Sequence, residues 1–153
     1  MIINKREKLL DKPGEDHQYT FGGVTTDHML HCDYDMDNGG WQPPRIEPLQ
    51  DFELDPSNAT LHYSIECFEG AKAYIHAKDD TKLVMYRINK NFERMNSSHR
   101  QLGFPQFNVD EMVKCTEALL DLDREWMPRR PMHSMYIRPN SICMDNRLGI
   151  SKI

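Results

Sequence analysis

Apolar side chains in the second half of the chain recur at helical intervals. Ile88, Phe92, Met95, His99 and Leu102 fall three or four residues apart and Gly103 follows them, which predicts a helix over about 89–102. Downstream, Asn108 stands three residues before Glu111, the spacing of a helix cap. Met112, Val113, Thr116, Leu119, Leu120 and Trp126 then make an apolar stripe that stops before Pro128.

Elsewhere the period drops to two. Leu61, Tyr63, Ile65 and Cys67 alternate with His62, Ser64 and Glu66, which predicts a strand over 61–67 that Gly70 ends. Lys72–Ala77 and Lys82–Arg87, rich in Tyr, Ile and Val, flank a polar AKDDT turn and predict a hairpin. Val24–Cys32 is β-prone; the stretch DYDMDNGG after it is turn-rich and Trp41-Gln42-Pro43-Pro44 extended. Residues 134–138 return to strand, Pro139 limits pairing beyond them, and the last stretch reads as a loop without a strand of its own. Residues 1–20 are polar, broken by Pro13 and Gly14, and read as a loose lead-in arm before a domain over 21–153. Strands on both sides of a helical pair predict an α+β domain, with an antiparallel or mixed sheet and two main helices.

At 153 residues the chain has the length of one ordinary domain. Only 39% of it is apolar and 28% is charged, with mean hydropathy −0.72, a polar balance that predicts a thin core and leaves room for a partner surface to complete it. Lys and Arg number 19 against 24 Asp and Glu, and no basic stripe appears, which argues against nucleic acid as a partner. No apolar run approaches a membrane span, and the first 18 residues carry four acids and no signal-like apolar core. Cys32, Cys67, Cys115 and Cys143 lie far apart, as expected of reduced thiols in an intracellular, cytoplasmic protein.

Motifs that carry chemistry are scarce. Asp33, Asp35 and Asp37 alternate as in a calcium loop, but the sixth position is Asn38 and the twelfth Pro44. His28, His31 and Cys32 have ligand chemistry without zinc spacing, so no metal is expected. No P-loop, dinucleotide fingerprint or nucleophile elbow occurs.

Several ordered segments nevertheless match a known pattern. Phe21-Gly22-Gly23-Val24-Thr25-Thr26-Asp27-His28-Met29-Leu30 is followed by Trp41, Pro44, Ile46 and Pro48-Leu49-Gln50. Then come Leu61-His62-Tyr63, Phe68-Glu69-Gly70-Ala71-Lys72-Ala73-Tyr74, the Asn89–Met95 segment with Arg94, Leu122-Asp123, Glu125-Trp126 and Tyr136-Ile137-Arg138-Pro139. Together, over about 19–153, they resemble branched-chain amino acid aminotransferases, which are fold-type IV enzymes that use pyridoxal 5'-phosphate. The resemblance implies that this chain is the small N-terminal α+β domain of such an enzyme. It implies that the lysine holding the cofactor covalently lies in a C-terminal domain absent here, so no catalytic residue is expected in the chain and its isolated form is expected to be inactive. A truncated, non-catalytic form acting as a dimerisation or binding module is the alternative.

The resemblance also assigns roles that pattern alone leaves open. Arg94, about 120° from the centre of its helix's apolar stripe, reads by pattern as a surface arginine and by resemblance as a contact to the cofactor phosphate, for which a forked permanent cation is suited. Tyr136 and Arg138, two apart on a strand, point to one face. The resemblance makes Tyr136 a pocket residue and Arg138 an acceptor for the second carboxylate of glutamate. Phe21, Tyr63 and Phe68, otherwise readable as core aromatics, become pocket walls selecting Leu, Ile and Val side chains. Tyr63, Leu148 and Ile150 match positions that approach the neighbouring subunit's active site, which implies a homodimer. The implied substrates are branched-chain amino acids and the 2-oxoglutarate/glutamate pair.

Overall fold

The computed structural model describes residues 1–14 and 16–149. Its first half runs β1 (Ile2–Ile3), β2 (His28–His31), β3 (Tyr34–Asp35), β4 (Gly40–Trp41), β5 (Arg45–Pro48) and α1 (Ala59–Tyr63). The second half runs β6 (Glu66–Phe68), β7 (Ala71–His76), β8 (Asp79–Met85), α2 (Ile88–Leu102), α3 (Val109–Leu122), a 3-10 turn (Arg124–Trp126), β9 (Met135–Ile137) and β10 (Asn140–Ile142). The architecture is α+β, as the alternation of periods predicts.

The largest layer is the antiparallel sheet β8-β7-β9. On β7, Ala71 and Ala73 turn inward while Lys72 and Tyr74 face out, the period of a half-buried strand. The inner face receives the helices. Ala71 packs with Ile88, Phe92 and Met95, joined by Phe107, Met112, Val113 and Ile137; Ala73 packs with Leu120 and Met127. The small side chain of Ala71 lets Phe92, only 1% exposed, lie close to the sheet.

Both predicted helices form, and for the predicted reasons. The C-terminus of α2 turns at Gly103, whose φ of 78° lets the N–H of Phe104 reach back to the carbonyl of His99 at 2.8 Å. Asn108 caps α3 by accepting the N–H of Glu111 at 3.0 Å. The helix ends at Leu122, so Trp126 sits on the 3-10 turn, where its indole N–H donates to Asp27 at 2.6 Å.

The hairpin also forms, but with a tighter turn than expected: β7 and β8 are joined through Ala77-Lys78, with a register shift between Ile75 and His76. Of the β-prone stretch 24–32 only β2 becomes strand, paired antiparallel to β5.

Residues 61–67 depart most from expectation. Their first part is helix, not strand: buried Asn58 accepts the N–H of Thr60 and Ser64 closes α1 in the left-handed conformation, φ 53°. The alternation misled because Leu61 and Tyr63 are exposed, 58% and 51%, so there is no buried strand face. The last stretch does hold a strand. β10 begins directly after Pro139 and pairs antiparallel with β6, Asn140 opposite Phe68 and Ile142 opposite Glu66.

The lead-in arm is tied down rather than loose throughout. β1 pairs parallel with β5, which makes that sheet mixed. Farther along, the N–H of Arg6 donates to Nε2 of buried His28, whose Nδ1–H therefore points to Asp123 at 2.6 Å. Leu10 donates its N–H to Asp27 at 2.7 Å. Burial alone would raise the Asp27 carboxyl, but these donors from Leu10 and Trp126 hold it below the usual range. Among the described residues no helix is long and apolar enough to cross a membrane.

Candidate functional site

Near the end of the large sheet, strand ends place an arginine against two aromatic rings, with a third ring packed on one of them. Tyr136 lies on β9 and Arg138 just beyond it; Phe68 ends β6, and Phe21 comes from the loop before β2. The guanidinium carbon of Arg138 stands 4.4 Å from the Phe68 ring centroid and 5.2 Å from that of Tyr136, and its Nη2 donates to the Tyr136 hydroxyl at 3.1 Å. Phe21 meets Tyr136 edge to face at 4.9 Å. Among the described residues no carboxylate pairs with Arg138. A guanidinium held by rings and a hydroxyl, rather than by an acid, keeps donors for an incoming carboxylate.

Gly70 makes room for this cluster. A Cβ there would stand 2.0 Å from the Tyr136 hydroxyl oxygen and 2.8 Å from Cζ, so only a glycine lets the phenol lie over the turn.

Arg94 lies on α2 with its side chain 69% exposed, off the apolar stripe as predicted. Its guanidinium is not free. Nε and Nη2 donate to the two carboxylate oxygens of Glu69, at 2.5 and 2.6 Å, and Glu69 is itself only 5% exposed. Asn91, one turn before Arg94, donates to the same carboxylate at 3.2 Å and to the carbonyl of Gly70 at 3.0 Å. The hydrogen bonds from Arg94 outweigh burial and hold the Glu69 carboxyl below the usual carboxylate range.

Tyr63 and Leu148 meet each other, the Tyr63 hydroxyl donating to the Leu148 carbonyl at 2.5 Å, with both side chains exposed. Among the described residues Tyr63 has no ring contact or hydrogen bond to the Tyr136–Arg138 cluster. Ile150 lies outside the described residues. Of the residues singled out from the sequence, the fold thus gathers Phe21, Phe68, Tyr136 and Arg138 into one cluster. Arg94 is linked to that cluster through Glu69 and Gly70, while Tyr63 and Leu148 form a separate corner. Glu69, Gly70 and Asn91 lie within the segments that carry the resemblance but were given no site role. The one local signal was an acid inside the apolar stretch that leads into β7.

Comparison with known proteins gives this geometry a context. No protein-family model matches the chain. It is 39% identical over 152 residues to the cytosolic branched-chain-amino-acid aminotransferase of Ovis aries. It is 40% identical over 138 residues to the branched-chain-amino-acid aminotransferase of Monosiga brevicollis, and 39% over 148 residues to a probable one of Staphylococcus aureus. The chain is homologous to branched-chain-amino-acid aminotransferases. These alignments take in 99%, 90% and 97% of the chain but 38%, 35% and 40% of the relatives, so the homologue spans well under half the length of the curated relatives it matches. A solved structure of the Escherichia coli branched-chain amino acid aminotransferase superposes with a TM-score of 0.56 at 22% identity, over 69% of this chain and 33% of that one. That likeness establishes a shared fold.

Proposed function

We propose that this chain is the small N-terminal domain of a pyridoxal-phosphate-dependent transaminase that moves the amino group of leucine, isoleucine or valine to 2-oxoglutarate. The observation that carries the reading is Arg138, unpaired with any described acid, stacked on Phe68 and bonded to Tyr136. In this reading the lysine that holds the cofactor comes from the part of the relatives' length that this chain does not span.

The residues present suit the cofactor's phosphate. Arg94 has two donors committed to Glu69, which leaves Nη1 and one Nη2 hydrogen on an exposed edge, a donor set matched to phosphate oxygens. Because Glu69 balances its charge, Arg94 acts there as an oriented donor more than as a net cation. When bound, pyridoxal phosphate supplies the electron sink for chemistry at the substrate Cα. This chain's own residues contribute the recognition of the substrate. Arg138 holds a substrate carboxylate, Tyr136 fixes the direction of that guanidinium, and Phe21 and Phe68 keep water from a branched aliphatic side chain. Full burial of such a side chain is worth about 1.5–3 kcal/mol, enough to favour it over a polar one.

Tyr63 and Leu148 form the corner proposed to approach the active site of a second subunit in a homodimer; Ile150, assigned with them, lies outside the described residues. A cytoplasmic location is proposed on the names of relatives such as the cytosolic enzymes of Ovis aries and Rattus norvegicus.

The test is steady-state kinetics on the full-length protein carrying Arg138→Gln. If Arg138 accepts the second carboxylate, KM rises more for glutamate than for leucine. Equal effects on both would remove Arg138 from that role.

A further inference from the structure

Glu69 is buried in the turn between β6 and β7, where neither the strand ladder nor the apolar core requires an acid. Withdrawing a carboxylate from water is costly, and a salt bridge to an exposed arginine recovers little of that cost. Stability alone therefore gives a poor account of the pair. Orientation gives a better one. Glu69 grips one edge of the Arg94 guanidinium at 2.5 and 2.6 Å, and the planar fork then has only one way to face. Asn91 braces the carboxylate from the same helix.

The same turn reaches the other arginine. Phe68 stacks under Arg138, Gly70 lies under the Tyr136 hydroxyl, and the N–H of Glu69 donates at 2.9 Å to the carbonyl of Pro139, the residue after Arg138. Asn91 closes the circuit on the Gly70 carbonyl.

We propose that Glu69 is a positioning residue: it locks the guanidinium of Arg94 with its outer edge toward an anionic group and, through the Phe68-Glu69-Gly70 turn, keeps that edge in register with Arg138. The inference rests on the reading of Arg94 as a phosphate contact.

The experiment uses the full-length protein freed of cofactor and compares its affinity for pyridoxal 5'-phosphate with that for pyridoxal, which lacks the phosphate. Four forms are titrated: wild type, Glu69→Gln, Arg94→Ala and the double variant. Glu69→Gln preserves shape and one acceptor, and pyridoxal affinity reports whether each variant is folded. Arg94→Ala should lose most of the preference for the phosphorylated ligand. Glu69→Gln should lose roughly tenfold of it, on the scale of one charge-assisted hydrogen bond, with pyridoxal affinity unchanged. The double variant should be no worse than Arg94→Ala, because Glu69 acts only through Arg94. Three results would overturn the proposal: a wild-type preference in Glu69→Gln while Arg94→Ala loses it, additive losses in the double variant, or equal weakening of both ligands. If Arg94→Ala itself keeps the preference, the phosphate reading fails and the positioning role falls with it.

Discussion

Replacing Gly70 by alanine tests whether the aromatic cluster is built around a missing side chain. The new Cβ would stand 2.0 Å from the Tyr136 hydroxyl oxygen and 2.8 Å from Cζ, both impossible, while the Gly70 backbone lies outside the left-handed region and accepts an alanine. Relief must therefore come from the ring swinging away. Three contacts go with it: the hydrogen bond from Arg138 at 3.1 Å, the approach of its guanidinium to the ring at 5.2 Å and the edge contact with Phe21 at 4.9 Å. Each is worth about 0.5–1.5 kcal/mol in a protected setting, but Phe21 is 77% and Tyr136 37% exposed, so global stability should fall by only about 1 kcal/mol. On the proposed role of Arg138, substrate affinity should suffer more, because Arg138 loses the hydroxyl that aims it; a KM for glutamate raised about tenfold corresponds to about 1.4 kcal/mol. Denaturant unfolding and steady-state kinetics of the full-length protein measure the two effects. Adding Gly70→Ala to Tyr136→Ala should then cost nothing further. An unchanged KM would refute the placement of Tyr136 in the site. A stability loss above about 3 kcal/mol would show that the backbone, not the ring, needs the glycine.

Other consequences are as direct. Asn108→Ala removes the cap of α3 and should lower unfolding free energy by about 1 kcal/mol in urea titrations, with Asn108→Ser restoring most of it. Burial pushes the His99 imidazole below its usual range, between the carbonyl of Pro105 and the hydroxyl of Ser141. Its stabilising contribution is complete above the unfolded value of about 6.5 and is lost as pH falls toward the lower folded value. His99→Gln should flatten that part of the stability profile, and an unaltered slope would exclude His99 as its source. Burial, with Cys115 and Asp33 nearby, pushes the Cys32 thiol up to about 11, so alkylation near pH 8 followed by peptide mapping should spare Cys32 until the protein unfolds.

What the sequence made legible follows from range. α2 and α3 announce themselves because stripe and caps lie within one segment: Asn108 and Glu111 are three residues apart, and Gly103 directly follows Leu102. The hairpin is equally local. The short helix α1 was hidden because its signal rests on Asn58 and on contacts to residues 143–146, while the visible alternation of Leu61 and Tyr63 concerned exposed side chains. β1 and β10 could not be read either, since each exists only by pairing with a distant strand, β5 or β6. The site divides the same way. Tyr136 and Arg138 could be placed on one face from spacing alone. The partnership of Glu69 with Arg94 spans 25 residues and two element types, and no local period records it.

The stitching of the 57–68 region to the last described segment bears on how the chain folds. Thr60 bonds Cys143, Asn58 bonds Asn146 and Tyr63 bonds Leu148, closing loops of 83, 88 and 85 residues. Such closures are entropically unfavourable until many partners arrive together, which makes them late events. During synthesis the ribosome must release residues through Ile142, the last partner of β6, before the Phe68-Glu69-Gly70 turn acquires its final shape. The hairpin and both long helices can form while the two arginines still await alignment.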